Sequence, residues 1–305
     1  MAMDSSVELT LLSASRDDAD RAMQAVQAEV ERLEALLSDY RRESNVSLLN
    51  RRQTQQLAPE TRELLVRAQS LCRATDGAFD VSMGPVKRLW GFGTGGTPHV
   101  PDSVAVRKLL RHVGCEVYAI TPEGRFEWLD EEARIDLGGI AQGYVAGRMA
   151  DTLRARGIDR FLINVSGDIV VGGSRPDGRA WRIGLQHPRR SNSLLARLPM
   201  QWRAVTTSGD YEQSFVADGV RYHHIFDPST GFPARRTASV SVFSDDPVAA
   251  DCYATALFVL GAERGLAMVE ARSDLAAVFV VDGDDGGLEM RSSADLSATL
   301  TPAEE

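Results

Sequence analysis

The sequence of 305 residues has few lysines and no excess of positive charge. Its formal net charge is −9, whereas nucleic acids and anionic membranes need a basic face on their partner, so we expect neither as a partner. No stretch approaches the roughly 18 consecutive apolar residues of a membrane-spanning helix. Lys87 and Lys108 are the only lysines among 34 basic residues, which we interpret as a compositional bias rather than a functional feature.

Cysteines are also few, and they are scattered. Cys72, Cys115 and Cys252 form no Cys-x-x-Cys pair and have no Cys/His spacing typical of a zinc site, so we expect no structural zinc. The first fifteen residues lack the basic start, the apolar run and the cleavage site of a secretory signal. We therefore expect a cytoplasmic location. The alternative is a mature periplasmic or cell-surface protein from which a signal segment has been removed.

Hydrophobic periodicity predicts alternating helices and strands. In the segment 17–41, apolar residues recur every three or four positions, which indicates one buried helical face. The members of that face are Met23, Val26, Val30, Leu33, Leu37 and Tyr40. Further helices are predicted over 59–77, 102–114, 139–156 and 245–261. Asp102 or Ser103 would cap the third of these five helices, and Asp246 would cap the last.

Strands are predicted between and after these helices, over 7–15, 116–120, 125–130, 160–173, 181–186, 200–208, 222–226, 238–244, 276–281 and 287–293. The last two would form a closing hairpin, followed by a frayed tail at 301–305. The fold class is therefore α/β to α+β, with mixed sheets and packed helices. We expect a single domain over 1–305, with two intimate lobes as an option, because no linker marks a boundary.

Two glycine-rich segments imitate known motifs without their context. The segment "GFGTGG" at 91–96 matches a dinucleotide fingerprint, but no strand precedes it and two prolines follow it, so we predict a loop. The segment "DGDDGG" at 282–287 starts like a calcium loop. Its twelfth position is Ser293, where a bidentate Glu belongs, so a hairpin turn is the better interpretation.

Several other segments carry residues suited to chemistry. Gly138 and Gly139 precede a predicted helix, where free backbone N–H groups suit an anion, although a plain turn explains them equally well. Segments "INVSGDIVVGG" and "TTSGDY" place further glycines on turns, the first of them beside Asp168. Asp251 and Thr255 lie four positions apart on one predicted helix face, where they could bind Mg²⁺ or serve the structure only.

The order and wording of these segments resemble the FAD:protein FMN transferase family, the ApbE-like flavin transferases, over roughly residues 3–260. The resembling blocks include "LLSDYRRESNVSLLN", "TDGAFDVSMGPVKRLWGFG", "IDLGGIAQGYVAGRMAD", "VTTSGDYEQSF", "YHHIFDPSTGFPA" and "ADCYATALFVLG". The resemblance implies an ApbE-like (T-fold-like) two-lobed body. It also implies Mg²⁺-dependent cleavage of FAD, with transfer of FMN to a Ser or Thr hydroxyl of an acceptor protein and release of AMP. Some relatives use water as the acceptor instead.

The resemblance also implies roles for particular residues. Asp251 and Thr255 would bind Mg²⁺ with the backbone carbonyl of Ala141. Tyr40 would lie on or near the flavin, and the two glycine-bearing turns would hold the diphosphate and the adenosine. The residues expected to bind FAD are Tyr40, Gly138, Gly139, Gln142, Ser208, Gly209 and Thr230.

Catalysis would require a base near the incoming hydroxyl, because the partner protein supplies the nucleophile. An imidazole suits this task, since its ordinary pKa lies near ~6.5. His224 matches the family pattern and is the leading candidate, with Asp227 and Asp210 as alternates. A purely structural hydrogen bond is the competing role for His224. His223 falls outside the pattern and is expected to be a strand neighbour.

Three positions depart from the family pattern. Gln142 stands where the family usually has Lys, which removes a positive charge near the expected phosphates. Ser166 replaces the first Gly of the usual Gly-Gly-Asp, and Met3-Asp4-Ser5 replaces Met-Gly-Thr. These changes keep two alternatives open, a hydrolase that releases FMN and a flavin-binding protein with little turnover. The chain contains no acceptor motif of the Asp-Gly-(Ser/Thr)-Gly-Ala-Thr kind, so the acceptor is expected to be a different protein.

Overall fold

A computed structural model describes residues 6–13, 15–93, 96–283 and 286–303. The predicted effects of Met3-Asp4-Ser5 lie outside these residues. So do the centre of the 91–96 loop, the centre of the 282–287 turn and the last two residues of the tail.

Eight α-helices form within the described ranges. They are α1 Arg16–Leu37, α2 Asn45–Asn50, α3 Pro59–Ala74, α4 Gly84–Leu89, α5 Ser103–Leu110, α6 Ala141–Arg154, α7 Pro247–Glu270 and α8 Ala294–Ser297. A short 3₁₀ turn, Val81–Met83, precedes α4. The strands are β1 Val7–Leu11, β2 Tyr118–Ile120, β3 Phe126–Trp128, β4 Phe161–Val165, β5 Asp168–Gly172, β6 Arg182–His187, β7 Arg190–Pro199, β8 Ala204–Gly209, β9 Ser214–Ala217, β10 Val220–His223, β11 Phe226–Asp227, β12 Phe232–Pro233, β13 Ser239–Ser244, β14 Ala276–Asp282, β15 Leu288–Ser292 and β16 Thr301–Pro302.

Helix boundaries follow the capping residues. The Asp102 carboxylate accepts hydrogen bonds from two N–H groups of the first turn of α5, and the Asp246 carboxylate accepts one from the N–H of Val248 in α7. Both predicted caps are confirmed. The predicted face of α1 is confirmed for its four residues from 26 to 37. Met23 is 43% exposed, however, and Tyr40 lies beyond the end of the helix, so the prediction was wrong for these two residues.

The main sheet has seven strands in the order β1-β4-β5-β8-β13-β14-β15, and every neighbouring pair is antiparallel. Its side chains alternate between two cores. On β14, Ala277 and Phe279 face the core formed with α1, α6 and α7, whereas Ala276 and Val278 face the core formed with β6 and β7. The fold is therefore three layers, helices on sheet on small sheet. The predicted fold class is confirmed, on its α+β side.

Several elements differ from the prediction. Helix α7 continues to Glu270, across a break at Gly261 where φ is 78°, instead of ending at 261. Strand β7 was not predicted, because most of its side chains are polar or exposed and give no buried alternation. The tail was predicted to be frayed, but Thr301–Pro302 pairs with β7.

Helix α7 is long and apolar enough to cross a membrane by composition alone, and 67% of its apolar window is buried within the protein. Here it contacts β8, β13 and the helix α6, as a core helix does. Length and composition are the sole features it shares with a membrane span.

A disulfide joins Cys72 and Cys115, which are 43 positions apart and show no spacing that would have predicted it. The bond joins the end of α3 to the loop that follows α5. Its sulfur atoms lie near the Asp80 carboxylate, but bonded sulfurs are not thiolates and leave no zinc ligand there. Cys252 is a free, buried thiol.

Candidate functional site

The site is a cavity of about 370 Å³ between the start of α6, the first half of α7 and the ends of β5 and β8. A second chamber of about 550 Å³ opens beside it, next to the segment that follows α1. The two chambers share Lys87, Asp136, Gly138, Gln142, Gln213 and His224. They therefore form one continuous site, long enough for an extended ligand.

Two carboxylates lie side by side in the first chamber. Asp251 is buried and accepts a hydrogen bond of 2.9 Å from the N–H of Gly143. Asp168 is buried too, and its Oδ2 has no hydrogen-bond partner among the described residues. Burial, together with the neighbouring charge of Asp251, raises the pKa of Asp168, and burial also raises the pKa of Asp251. Two such groups in one buried place suit a divalent cation.

Thr255 extends this donor set by one turn of α7. It lines the same chamber, and its Oγ1 lies 3.5 Å from the place where a Cβ would stand on Gly139. Ala141 is the first residue of α6, two positions before the Gly143 N–H that holds Asp251. Two carboxylates and a hydroxyl are hard oxygen donors, so the residues present fit Mg²⁺.

The crossing of α6 and α7 depends on Gly143. A Cβ on this residue would lie 2.4 Å from the carbonyl oxygen of Pro247 and 2.8 Å from the Cβ of Asp251. No side chain fits there, and the absence of one allows the Gly143 N–H to reach the Asp251 carboxylate.

The turn before α6 offers one free backbone donor. Gly138 donates its N–H to Asp136 Oδ1 at 2.8 Å, so that group is occupied. The N–H of Gly139 has no acceptor among the described residues, and Gly139 lines the cavity. Of the two glycines predicted to offer an N–H to an anion, Gly139 is therefore the one whose N–H is left free for it.

His224 faces both chambers. Its backbone N–H donates to the Gln213 carbonyl, while its ring Nδ1 is buried and has no hydrogen-bond partner among the described residues. Burial, and then the positive charge of Lys87, lower the pKa of His224 to about 4. The imidazole is neutral at pH 7 and can accept a proton.

His223 differs from its neighbour. Its Nε2 lies 2.7 Å from the carbonyl oxygen of Ala234, and its ring packs edge-on against Phe258. These contacts fix the end of β10 and give His223 a structural role.

The two alternative bases lie outside the cavity lining. Asp210 forms a two-pronged ion pair with Arg189, at 2.6 and 2.9 Å. Asp227 accepts from the N–H and the hydroxyl of Ser229. Neither carboxylate is directed to the chamber that holds His224, which makes both poor candidates for the base.

The predicted FAD-binding residues divide in a similar way. Tyr40 lines the second chamber and is 47% exposed, and Gln142, Ser208 and Gly209 line the first. Thr230 instead accepts from the N–H of Phe232 in the turn after β11 and does not line either chamber.

The backbone of Ser166 adopts a conformation that favours glycine. Its φ is 48°, in the left-handed region, where a side chain is strained. Its Oγ accepts a hydrogen bond of 3.0 Å from the N–H of Ser6. This contact joins the turn between β4 and β5 to the start of β1.

Five charged residues of the cavity lining have no role in the predictions made from the sequence. They are Asp80, Lys87, Asp136, Asp168 and Glu212. The scarcity of lysine could have drawn attention to Lys87. The position of Asp168 at a strand break is visible in the sequence, but its proximity to Asp251 is not.

Comparison with known proteins agrees with this geometry. The model of the ApbE family matches residues 3–279. The chain belongs to the ApbE family. The FAD:protein FMN transferase of Vibrio cholerae is 35% identical over 281 residues, which cover 88% of this chain and 83% of the relative. The enzyme of the same name from Klebsiella pneumoniae is 33% identical over 298 residues, covering 93% and 88%.

Solved structures give the same result. The ApbE protein of Thermotoga maritima superimposes with a TM-score of 0.88 at 29% identity, and the flavin transferase ApbE of Vibrio cholerae with 0.88 at 30%. Each match covers 98% of this chain and 97% of the other. The predicted family and the predicted ApbE-like fold are confirmed.

Proposed function

We propose that this ApbE family member is an FAD:protein FMN transferase, which moves FMN from FAD to a Ser or Thr hydroxyl of an acceptor protein and releases AMP. The observation that carries the proposal is the juxtaposition, in one cavity, of a buried oxygen-donor set and the neutral imidazole of His224. The relatives named FAD:protein FMN transferase support the same reaction.

Asp251 and Thr255, with the carbonyl of Ala141, would hold Mg²⁺, and Asp168 lies beside them. Bound there, the metal would neutralise the diphosphate of FAD and favour attack at phosphorus. The carboxylates gain as well, because a cation offsets the cost of burying two negative charges together.

His224 would act as the base. Its imidazole ring would accept the proton of the acceptor hydroxyl while the hydroxyl oxygen forms a bond to the phosphorus of the FMN half. The bond between that phosphorus and the bridging oxygen breaks, and AMP leaves with the electron pair. The negative diphosphate opposes the effect of Lys87, so substrate binding raises the pKa of His224 towards its ordinary value.

The remaining residues would position FAD. The Gly139 N–H at the start of α6 donates to a phosphate oxygen, and Ser208 and Gly209 lie on the same wall. Tyr40 in the second chamber provides an aromatic face for the ligand.

The test is to incubate the protein with FAD, Mg²⁺ and an acceptor that carries the flavinylation motif, and to follow AMP release and the acceptor's intact mass. We expect a mass gain of one FMN that EDTA prevents. AMP release without a mass gain would replace the transferase with a hydrolase. Intact FAD throughout would leave a flavin-binding protein.

A further inference from the structure

Lys87 is one of the two lysines of the chain, and its side chain enters the cavity from helix α4. The side chain is 22% exposed. Helix α4 comes close to the segment before α6, since a Cβ on Gly84 would lie 2.9 Å from the Cβ of Asp136. The Lys87 Nζ lies 3.4 Å from the place where a Cβ would stand on Gly138. The ammonium is thus close to Gly138, the residue before Gly139, and both glycines line the first chamber.

The charges of the cavity require such a cation. Among the described residues that line the first chamber, five carboxylates face one cationic side chain, which belongs to Lys87. Lys87 is also the one cation among the described residues that both chambers share. A diphosphate brings further negative charge into this place, where repulsion in a poorly solvated site is strong.

The ion pair with Asp136 does not use all the hydrogen-bond donors of the Lys87 ammonium. The Nζ lies 3.4 Å from Asp136 Oδ2, longer than the ~2.7–2.9 Å usual for a charged hydrogen bond, and Oδ1 already accepts from Gly138. This is the one hydrogen bond that Lys87 makes with described residues, although an ammonium has three donors. The charge of Asp136 raises the pKa of Lys87, so the group stays protonated.

We infer that the ammonium of Lys87 binds the diphosphate of the flavin nucleotide, and that it supplies the positive charge which the neutral side chain of Gln142 does not. The inference rests on the proposed function for the identity of the ligand. Lys87 is thus a substrate-binding residue separate from the metal ligands, and it acts through its own hydrogen bonds rather than through the metal.

The first test compares Lys87→Met with Lys108→Met, because Lys108 is the other lysine and lies exposed on α5. Calorimetric titrations use ADP with Mg²⁺, FAD with EDTA, and riboflavin, which has no phosphate. We expect Lys87→Met to weaken ADP and FAD binding by roughly 10- to 100-fold, the effect of losing charged hydrogen bonds, and to leave riboflavin binding unchanged. Lys108→Met should match the wild type. Equal ADP affinity in the two variants would overturn the inference.

Two double variants separate ligand binding from a structural role. Lys87→Met combined with Asp136→Asn removes both charges of the ion pair and leaves no unpaired buried carboxylate. This double variant therefore replaces the single variant in the titrations if Lys87→Met alone does not fold. Lys87→Met with Gln142→Lys returns a positive charge from α6 to both chambers. We expect the first pair to keep the ADP defect and the second to recover part of the affinity. Recovery of wild-type affinity by the first pair would reduce Lys87 to a partner of Asp136.

Failure of the proposed function is recognised separately. A wild-type protein that releases no AMP from FAD contradicts the transferase, while the ADP titrations still decide whether Lys87 binds a diphosphate.

Discussion

The crossing of α6 and α7 gives the sharpest test of the site's architecture. Gly143→Ala places a methyl group 2.4 Å from the Pro247 carbonyl oxygen and 2.8 Å from the Asp251 Cβ, and both atoms belong to the start of α7. Neither is the flexible end of a side chain, so the helices must separate. Overpacking of this kind costs about 1–3 kcal/mol of unfolding free energy.

Gly147→Ala is the matched control, one helical turn further along α6. There a Cβ would lie 3.5 Å from Pro247 Cγ, an ordinary van der Waals contact. Alanine is a better helix former than glycine by roughly 0.5–1 kcal/mol, so the control should be neutral or slightly stabilised. The two substitutions differ in contact geometry and not in chemistry.

The assay is thermal unfolding in EDTA and then in Mg²⁺. At roughly 2.1 cal/mol/K of unfolding entropy per residue, the cost at Gly143 corresponds to a fall of about 2–5 °C in Tm. The substitution also moves the Gly143 N–H from Asp251, so we expect a smaller Mg²⁺-induced rise in Tm for Gly143→Ala than for Gly147→Ala. Equal stability and equal Mg²⁺ response in the two variants would refute the close crossing and its role in placing Asp251.

Three further perturbations follow from the site and its surroundings. Asp251→Asn should abolish Mg²⁺-dependent AMP release yet keep or raise the Tm in EDTA, because it removes one of two adjacent buried charges; full activity would contradict the metal assignment. His224→Gln should slow transfer by roughly 100-fold or more if His224 is the base. The depressed pKa of His224 also favours the unfolded state as pH falls below about 6.5. The free energy of unfolding of the wild type should therefore fall by about 2 kcal/mol between pH 7 and pH 5, a loss that His224→Gln does not share. Identical pH dependence of the two proteins would reject a buried neutral imidazole. A thiol count on the denatured, unreduced protein should find one thiol, that of Cys252. Reduction of the disulfide should lower the unfolding free energy by about 4 kcal/mol for a loop of this length. Three thiols without reductant would exclude the Cys72–Cys115 bond.

That disulfide bears on location. Structural disulfides persist in oxidising compartments and are rare in the cytosol of most organisms. We therefore propose the periplasmic or cell-surface alternative over the cytoplasmic location expected from the sequence. The thiol count made on protein from its native compartment tests this proposal, because a reduced pair there would restore the cytoplasmic location.

Local chemistry explains which parts of the fold could be predicted. Caps such as Asp102 and Asp246 act on N–H groups two or three positions away, so their effect is visible in a short window. Strand β7 was not predicted because its side chains are mainly exposed, and a periodic pattern arises only where one face is buried. The Cys72–Cys115 disulfide was not predicted because the fold, and not the spacing of the two residues, brings them together.

In the candidate site, too, local features could be predicted from the sequence, whereas contacts between distant residues could not. Asp251 and Thr255 were recognisable as a pair because a helix places residues four apart on one face. The Gly143–Asp251 contact joins residues 108 positions apart, and the convergence of Asp168 with Asp251 depends on the same folding of the sheet against α7. No short sequence pattern reports contacts between residues so far apart in the chain. A family resemblance indicates such contacts only where its matching blocks include the residues concerned.

The charge balance of the cavity connects the metal, Lys87 and the base in one scheme. Five carboxylates repel an anionic substrate, so FAD can enter only where positive charge outweighs them locally, which Mg²⁺ and the Lys87 ammonium would provide from separate residues. Burial, and then the charge of the same ammonium, keep the His224 imidazole neutral, and a bound diphosphate would offset the part that is due to the ammonium. Under the proposed function, proton acceptance by His224 would then be favoured when the substrate, with the bond to be broken, is bound.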